Sequence, residues 1–199
     1  MDKTIESYDK IASQYSNTHF AHFWVEEFDY FKELLSGKKI IDIGCGAGRD
    51  ASVFVENGFD YLGIDASEGM LKIAKERVKD GKFQVMDFYH LNFLPETFDG
   101  FWAAASLLHI PKNHLKEVLS EIHKITKPSG IGFISVKEKK QLDEGLIDEN
   151  KYGGIHRYFA FYTEDEFKKV LEESYFQIVK TSTHIENDGT KWLCFFVKK

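Results

Sequence analysis

Three aspartates stand at the ends of short apolar runs, and the chemistry open to them is binding of cations and hydroxyls. Asp42 lies in Ile40-Ile41-Asp42-Ile43, Asp65 follows Tyr61-Leu62-Gly63-Ile64, and Asp87 follows Phe83-Gln84-Val85-Met86. After the first comes Gly44-Cys45-Gly46-Ala47-Gly48-Arg49-Asp50-Ala51, in which alternating glycines lead into a helix. Glycine permits positive φ and lets a ligand approach the backbone without meeting a Cβ. The amides that open the next helix then face whatever lies above the loop. Such a loop suits a nucleotide. The register Gly46-x-Gly48-x-x-Ala51 also fits a dinucleotide fingerprint. Asp42 separates the two readings, because a carboxylate at the strand end repels a pyrophosphate and attracts an ammonium and a sulfonium. The expected cofactor is therefore S-adenosylmethionine, with S-adenosylhomocysteine as product.

Residues 40–51 resemble the glycine-rich first motif of the class I S-adenosylmethionine-dependent methyltransferases. The resemblance continues through Gly63-Ile64-Asp65-Ala66-Ser67, Met86-Asp87-Phe88, Phe98-Asp99 to His109-Ile110, and Lys127-Pro128-Ser129-Gly130. Within it, Asp65 holds the cofactor ribose, where a carboxylate can accept both hydroxyls. Asp87 accepts from the adenine amino group, Phe88 covers the ring and Met70 borders it. Gly44, Cys45, Gly46, Gly48, Ala66 and Met86 complete the cofactor set. Arg49 meets the methionyl carboxylate, and the small Ala103 and Ala104 leave room for the methionyl arm. Tyr8-Asp9-Lys10-Ile11-Ala12-Ser13-Gln14-Tyr15 resembles the opening of many small-molecule methyltransferases, where it folds over the cofactor as a lid. That places Tyr8 and Tyr15 near the cofactor. Residues 8–24 also resemble the opening of the tRNA wobble-uridine methyltransferases.

The acceptor side is less determined. His109 lies where the chain crosses the floor of the expected cleft, and its ordinary pKa suits a general base. His156 and Tyr158 are further candidates for a catalytic role, and no catalytic residue is assigned. Ile155-His156-Arg157-Tyr158-Phe159-Ala160-Phe161-Tyr162 places a guanidinium, a donor fork for carboxylate or phosphate, among aromatic groups. Trp24, His109, Tyr152, Arg157 and Tyr158 are thus the expected substrate contacts, for a small and anionic acceptor. The same stretch also reads as an edge strand whose alternate residues face solvent.

The elements that must position these groups follow from periodicity. Residues 4–35 read as two helices, the first with Ile5, Tyr8, Ile11, Ala12 and Tyr15 on one face. The second carries an aromatic stripe of Phe20, Phe23, Trp24, Phe28 and Phe31. Strands then alternate with helices up to Val136, residues 137–154 lack periodicity, and Thr163-Glu164-Asp165-Glu166 reads as a capping box. A hairpin around Asn187-Asp188-Gly189 closes the chain. The pattern predicts an α/β, Rossmann-like doubly wound fold. The resemblance implies seven strands, six parallel and one antiparallel, with helices on both faces and an N-terminal helical lid. The expected single domain comprises a lid (1–36), a cofactor-binding core (37–136), a substrate-cap insertion (137–162) and a C-terminal helix and hairpin (163–199).

Bulk properties exclude several classes. With 199 residues and a net charge of −6, the chain is long enough for one core and lacks the basic balance of most nucleic-acid binders. Lys137, Lys139, Lys140 and Lys151 form a local group that reads as solvated surface. Two cysteines make neither a disulfide framework nor a zinc site, so no metal is expected. No signal peptide or membrane span is read, which points to a cytoplasmic protein without membrane partners. Oligomeric state is open. Methyl transfer to a small molecule leads. Methylation of tRNA or another nucleic acid, and a non-catalytic cofactor-binding partner subunit, are the alternatives.

Overall fold

The computed structural model describes residues 2–19, 24–149, 152–186 and 188–199. Phe20 and Phe23 of the expected stripe, Lys151 and Asn187 lie outside the described residues. Helices α1 (Asp2–Thr18) and α2 (Val25–Leu34) precede the sheet. Strand β1 (Lys39–Ile43) leads through the glycine loop to α3 (Ala51–Glu56), β2 (Asp60–Asp65), α4 (Glu68–Arg77) and β3 (Lys82–Val85). Next come β4 (Phe98–Ala104), α5 (Leu115–Ile125), β5 (Thr126–Lys137), β6 (Glu144–Glu149) and β7 (Ile155–Ala160). Helix α6 (Glu164–Glu173) and strands β8 (Gln177–Ile185) and β9 (Lys191–Lys198) end the chain.

Seven strands form one sheet in the order β3-β2-β1-β4-β5-β9-β8. β9 runs antiparallel to both neighbours, β5 and β8, while the β1, β2, β3, β4 and β5 contacts are all parallel. The expected six-plus-one sheet is therefore present. The order reverses between β1 and β4, and an open α/β sheet leaves a crevice beyond the strand ends at such a point. Residues 43 and 104 end those two strands, and the glycine loop lies between them in the fold.

The core explains why these segments are strands and helices. Ile40, Ile41 and Ile43 are fully buried, as a two-sided parallel strand requires. Leu115, Val118, Leu119, Ile122 and Ile125 form the inward stripe of α5. Trp102 of β4 stacks on Phe133 of β5 with centroids 4.1 Å apart. The Thr163 hydroxyl and the Glu166 carboxylate cap α6 reciprocally, as the sequence predicts.

Two expectations are corrected. Residues 144–149 are not irregular, because they pair antiparallel with β7 in a separate two-stranded ribbon, from Glu144–Ala160 to Glu149–Ile155. Strand β6 has no buried face, so its sequence carries no period-2 signal, and pairing with β7 supplies its order. Trp24 is a core residue rather than a substrate contact. It is fully buried, with ring edges against Phe133, Trp192 and His184 at 5.6–5.7 Å.

Candidate cofactor and acceptor cavity

The crevice at the β1 and β4 ends is a cavity of about 980 Å³, counting its open mouth. Its floor comes from the glycine loop and from Ala104, Ala105 and Ser106 after β4. Asp65, Ala66, Ser67 and Met70 form one wall, Phe88 and His109 contribute to another, and Thr4, Ile5, Tyr8, Tyr15, Ser16 and His19 of the α1 segment roof it. Gly46 holds φ +55, so the turn favours glycine, and a Cβ there would press on Met70 Cε at 3.3 Å.

Asp65 organises the loop. Its two oxygens accept from Gly46 N at 2.9 Å and Ser67 N at 2.8 Å. A carboxylate offers about four lone-pair sites, so it retains capacity for a pair of hydroxyls. Burial pushes its pKa up to about 6 against those two stabilising amides. Asp42 accepts from the Tyr61 hydroxyl at 2.7 Å. Burial, and then the nearby Asp50 carboxylate, raise its pKa well above the usual carboxylate range.

Arg49 is directed at its own chain. Its Nε and Nη2 donate to the two oxygens of Asp50 at 2.9 and 2.8 Å, and Trp102 Nε1 also donates to Asp50 at 3.0 Å. Burial alone would lower the arginine's pKa, but Asp50 outweighs it and holds the charge. Among the described residues the wall thus carries three carboxylates, Asp42, Asp50 and Asp65, and one guanidinium that is already paired. A site of that sign suits a cation and opposes a pyrophosphate.

Of the residues singled out in the sequence, Tyr8, Tyr15, Asp42, Gly44, Cys45, Gly46, Arg49, Asp65, Ala66, Met70, Phe88, Ala104 and His109 line this cavity. Gly48, Met86, Asp87 and Ala103 are not on its wall. Gly48 turns the loop at φ +79 against Ala74 of α4. Met86 and Ala103 are packed behind. Asp87 Oδ1 accepts from Tyr89 N and His90 N at 2.8 and 3.1 Å, closing the turn after β3.

The expected substrate contacts divide. Tyr152 packs with Ile11 and Ile155 under α1. The Tyr158 hydroxyl donates to Glu144 at 2.5 Å, away from the cavity. His156 is on the solvent side, its ring 55% exposed and 4.0 Å from Asp148. Arg157 is only 5% exposed and lies on the inward side of β7 with Ile155 and Phe159, while His156 faces solvent, so the edge-strand alternative with alternate residues outward describes this stretch. Its Nε and Nη2 grip both oxygens of Glu149, which leaves no free fork for an anionic acceptor.

Sequence reasoning missed three contributors. Asp9 Oδ1 accepts from Ser67 Oγ at 2.6 Å and Gly69 N at 2.9 Å, pinning the roof to the start of α4. Glu149 and Asp50 neutralise the two arginines. Asp50 adjoins Arg49, so an acid-base pair was visible there; Asp9 and Glu149 act on residues 58 and 8 positions away and had no local signal.

A profile described as a methyltransferase domain matches residues 40–130, the span from β1 into β5. The tRNA (carboxymethyluridine(34)-5-O)-methyltransferase of Arabidopsis thaliana is 31% identical over 145 residues, 70% of this chain and 34% of that protein. The demethylmenaquinone methyltransferase of Symbiobacterium thermophilum is 32% identical over 152 residues, 70% of this chain and 57% of that protein. The chain thus spans about a third to somewhat over half the length of these curated relatives. Among solved structures, Burkholderia thailandensis 1,6-didemethyltoxoflavin-N1-methyltransferase, with bound 1,6-didemethyltoxoflavin and S-adenosylhomocysteine, has the same fold. Its TM-score is 0.77 at 21% identity, over 98% of this chain and 87% of that one. The sheet order, the glycine loop and the matched span all agree with the class I S-adenosylmethionine-dependent methyltransferase family.

Proposed function

We propose that the chain transfers a methyl group from S-adenosylmethionine to a small organic acceptor. The observation that carries this reading is the acidic cavity at the sheet's switch point, closed by the α1 segment. The residues present fit the cofactor. Asp65 has lone pairs for a ribose, Met70 and Phe88 offer apolar surface for a purine, and Asp42 has the sign for an ammonium. When bound, S-adenosylmethionine supplies an electrophilic methyl on a cationic sulfur. The chain's own contribution is orientation and exclusion of water, for which the α1 roof is placed. His109 faces the acceptor side as an uncharged ring, its pKa brought down to about 3 first by burial and then by Arg157 and Lys137. With Arg157 bound to Glu149 and the wall acidic, the acceptor is read as uncharged rather than anionic.

Calorimetry tests the reading. S-Adenosylmethionine and S-adenosylhomocysteine are expected to bind with micromolar affinity, and Asp65→Ala to weaken both by on the order of 1–3 kcal/mol. No binding, or a preference for NAD, overturns it; binding justifies a screen of small-molecule acceptors. A second reading, methylation of tRNA, is favoured by the Arabidopsis relative and opposed by the net charge of −6. Salt-sensitive retardation of bulk tRNA together with methyl incorporation would move the assignment there.

A further inference from the structure

The side chains joining α1 to the β6–β7 ribbon form a hydrogen-bond chain in which each proton has one address. A main-chain carbonyl can only accept, so the 2.6 Å contact from His109 Nδ1 to the Tyr158 oxygen puts a proton on Nδ1. The ring is held neutral by its burial, so Nε2 keeps its lone pair. Its partner at 2.9 Å is the Tyr8 hydroxyl, which must therefore donate. The oxygen of that hydroxyl is met by Arg157 Nη1 at 2.6 Å. Arg157 in turn is fixed by Glu149 through Nε and Nη2. A guanidinium does not deprotonate in a protein, so the order cannot reverse.

Packing enforces the same geometry. The Arg157 guanidinium lies 4.8 Å from the Tyr8 ring, 5.3 Å from Tyr15, 5.6 Å from Tyr152 and 5.2 Å from Phe159. Cation–π attraction from these rings adds to the ion pair and holds the planar group in one orientation. Of the chain's members only Tyr8 and His109 face the cavity; Arg157 and Glu149 stand behind them.

We propose that Arg157, anchored by Glu149, is a positioning residue for the acceptor side of the cavity: it aims the Tyr8 proton at His109 Nε2, so that the wall presents a neutral phenol–imidazole pair of one fixed tautomer. Its purpose rests on the methyl-transfer reading above, and it carries that reading further by specifying an uncharged acceptor. An anionic acceptor would have to displace Glu149 before Arg157 could receive it. The other charges around the pair act in known senses. Lys137 on β5 adds to Arg157 in opposing protonation of His109, Glu149 on β6 offsets both cations, and Asp65 on β2 and Tyr15 on α1 oppose ionisation of Tyr8.

The test is long-range ¹H–¹⁵N spectroscopy of the histidine rings in the protein without cofactor, between pH 5 and 8, with His109→Asn for assignment. Wild type is expected to show His109 uncharged throughout, with its proton on Nδ1. Arg157→Met is expected to shift Nε2 downfield by several ppm, as the Tyr8 proton loses its aim, and to raise the ring's protonation midpoint. Arg157→Lys, which keeps the charge and one donor, is expected to move the signal part of the way back. A proton on Nε2, a charged ring at pH 6, or His109 resonances unmoved by Arg157→Met would overturn the proposal. If Arg157→Met does not fold, Arg157→Lys is read against wild type, and His109 resonances unmoved by it overturn the proposal. Because no cofactor is present, failure here is distinct from failure of the Asp65→Ala calorimetry.

Discussion

If Asp65 holds the cofactor ribose as proposed, binding depends on pH. Burial lifts its pKa to about 6, above the ordinary 3.8 of an aspartate. At pH 5 roughly a tenth of the free protein therefore carries the ionised form that accepts two ribose hydroxyls well, against nearly all of it at pH 8. If the ionised form is the binding form, affinity falls about tenfold over that interval, or about 1.4 kcal/mol. Calorimetry of S-adenosylhomocysteine at half-unit steps of pH reads this directly. Repeating it in two buffers of different ionisation enthalpy gives the proton count, expected as release on binding near pH 6. Asp42, whose pKa is also raised, contributes in the same direction. Asp65→Asn is the isolating variant: its affinity is expected to be weaker at pH 8 and its pH slope reduced to the part that Asp42 contributes. An unchanged slope in Asp65→Asn, or a flat wild-type profile, would refute the reasoning.

Further predictions concern stability and the limits of the site. The pKa of His109 is depressed in the fold from 6.5 to about 3, so its contribution is intact above pH 6.5 and is lost as pH falls toward 3. The loss is about 2 kcal/mol at pH 5. Asp65, raised in the fold, favours the folded state by about 1.4 kcal/mol over the same interval and partly hides it. Urea unfolding at pH 7.5 and 5 is expected to show His109→Asn losing about 2 kcal/mol less than wild type; equal losses would remove His109 from the account. Ala105 sits at φ +58 just after β4, so Ala105→Gly is expected to stabilise by about 1 kcal/mol and raise Tm. Trp24→Ala is expected to cost about 3–5 kcal/mol in unfolding experiments, as loss of a fully buried aromatic does. Trp24→Phe should leave cofactor affinity unchanged, and a large change there would return Trp24 to the site.

Much of this protein is legible along the chain because it depends on neighbours a few residues apart. The β-branched Ile40, Ile41 and Ile43, the glycines at 44, 46 and 48, and the acids at 42 and 65 state a strand, a turn and a ligand polarity within 26 residues. The stripe of α5 and the capping box of α6 are equally local, since helix and cap signals have periods of three or four residues. The roles of the arginines were not legible. A donor fork reads alike whether it awaits a substrate or is already bound, and only the partner distinguishes the cases. Arg157 meets Tyr8 149 positions away, Asp9 caps α4 from 60 positions away, and the ribbon that carries Glu149 exists only because β7 pairs with it. Trp24 moved from site to core for the same reason, since an aromatic stripe does not say which surface it will meet. Local backbone preference and hydrophobic period thus determine the side of the cavity proposed for the cofactor, whereas the side proposed for the acceptor depends on long-range pairing of charges and rings, which no spacing along the chain encodes.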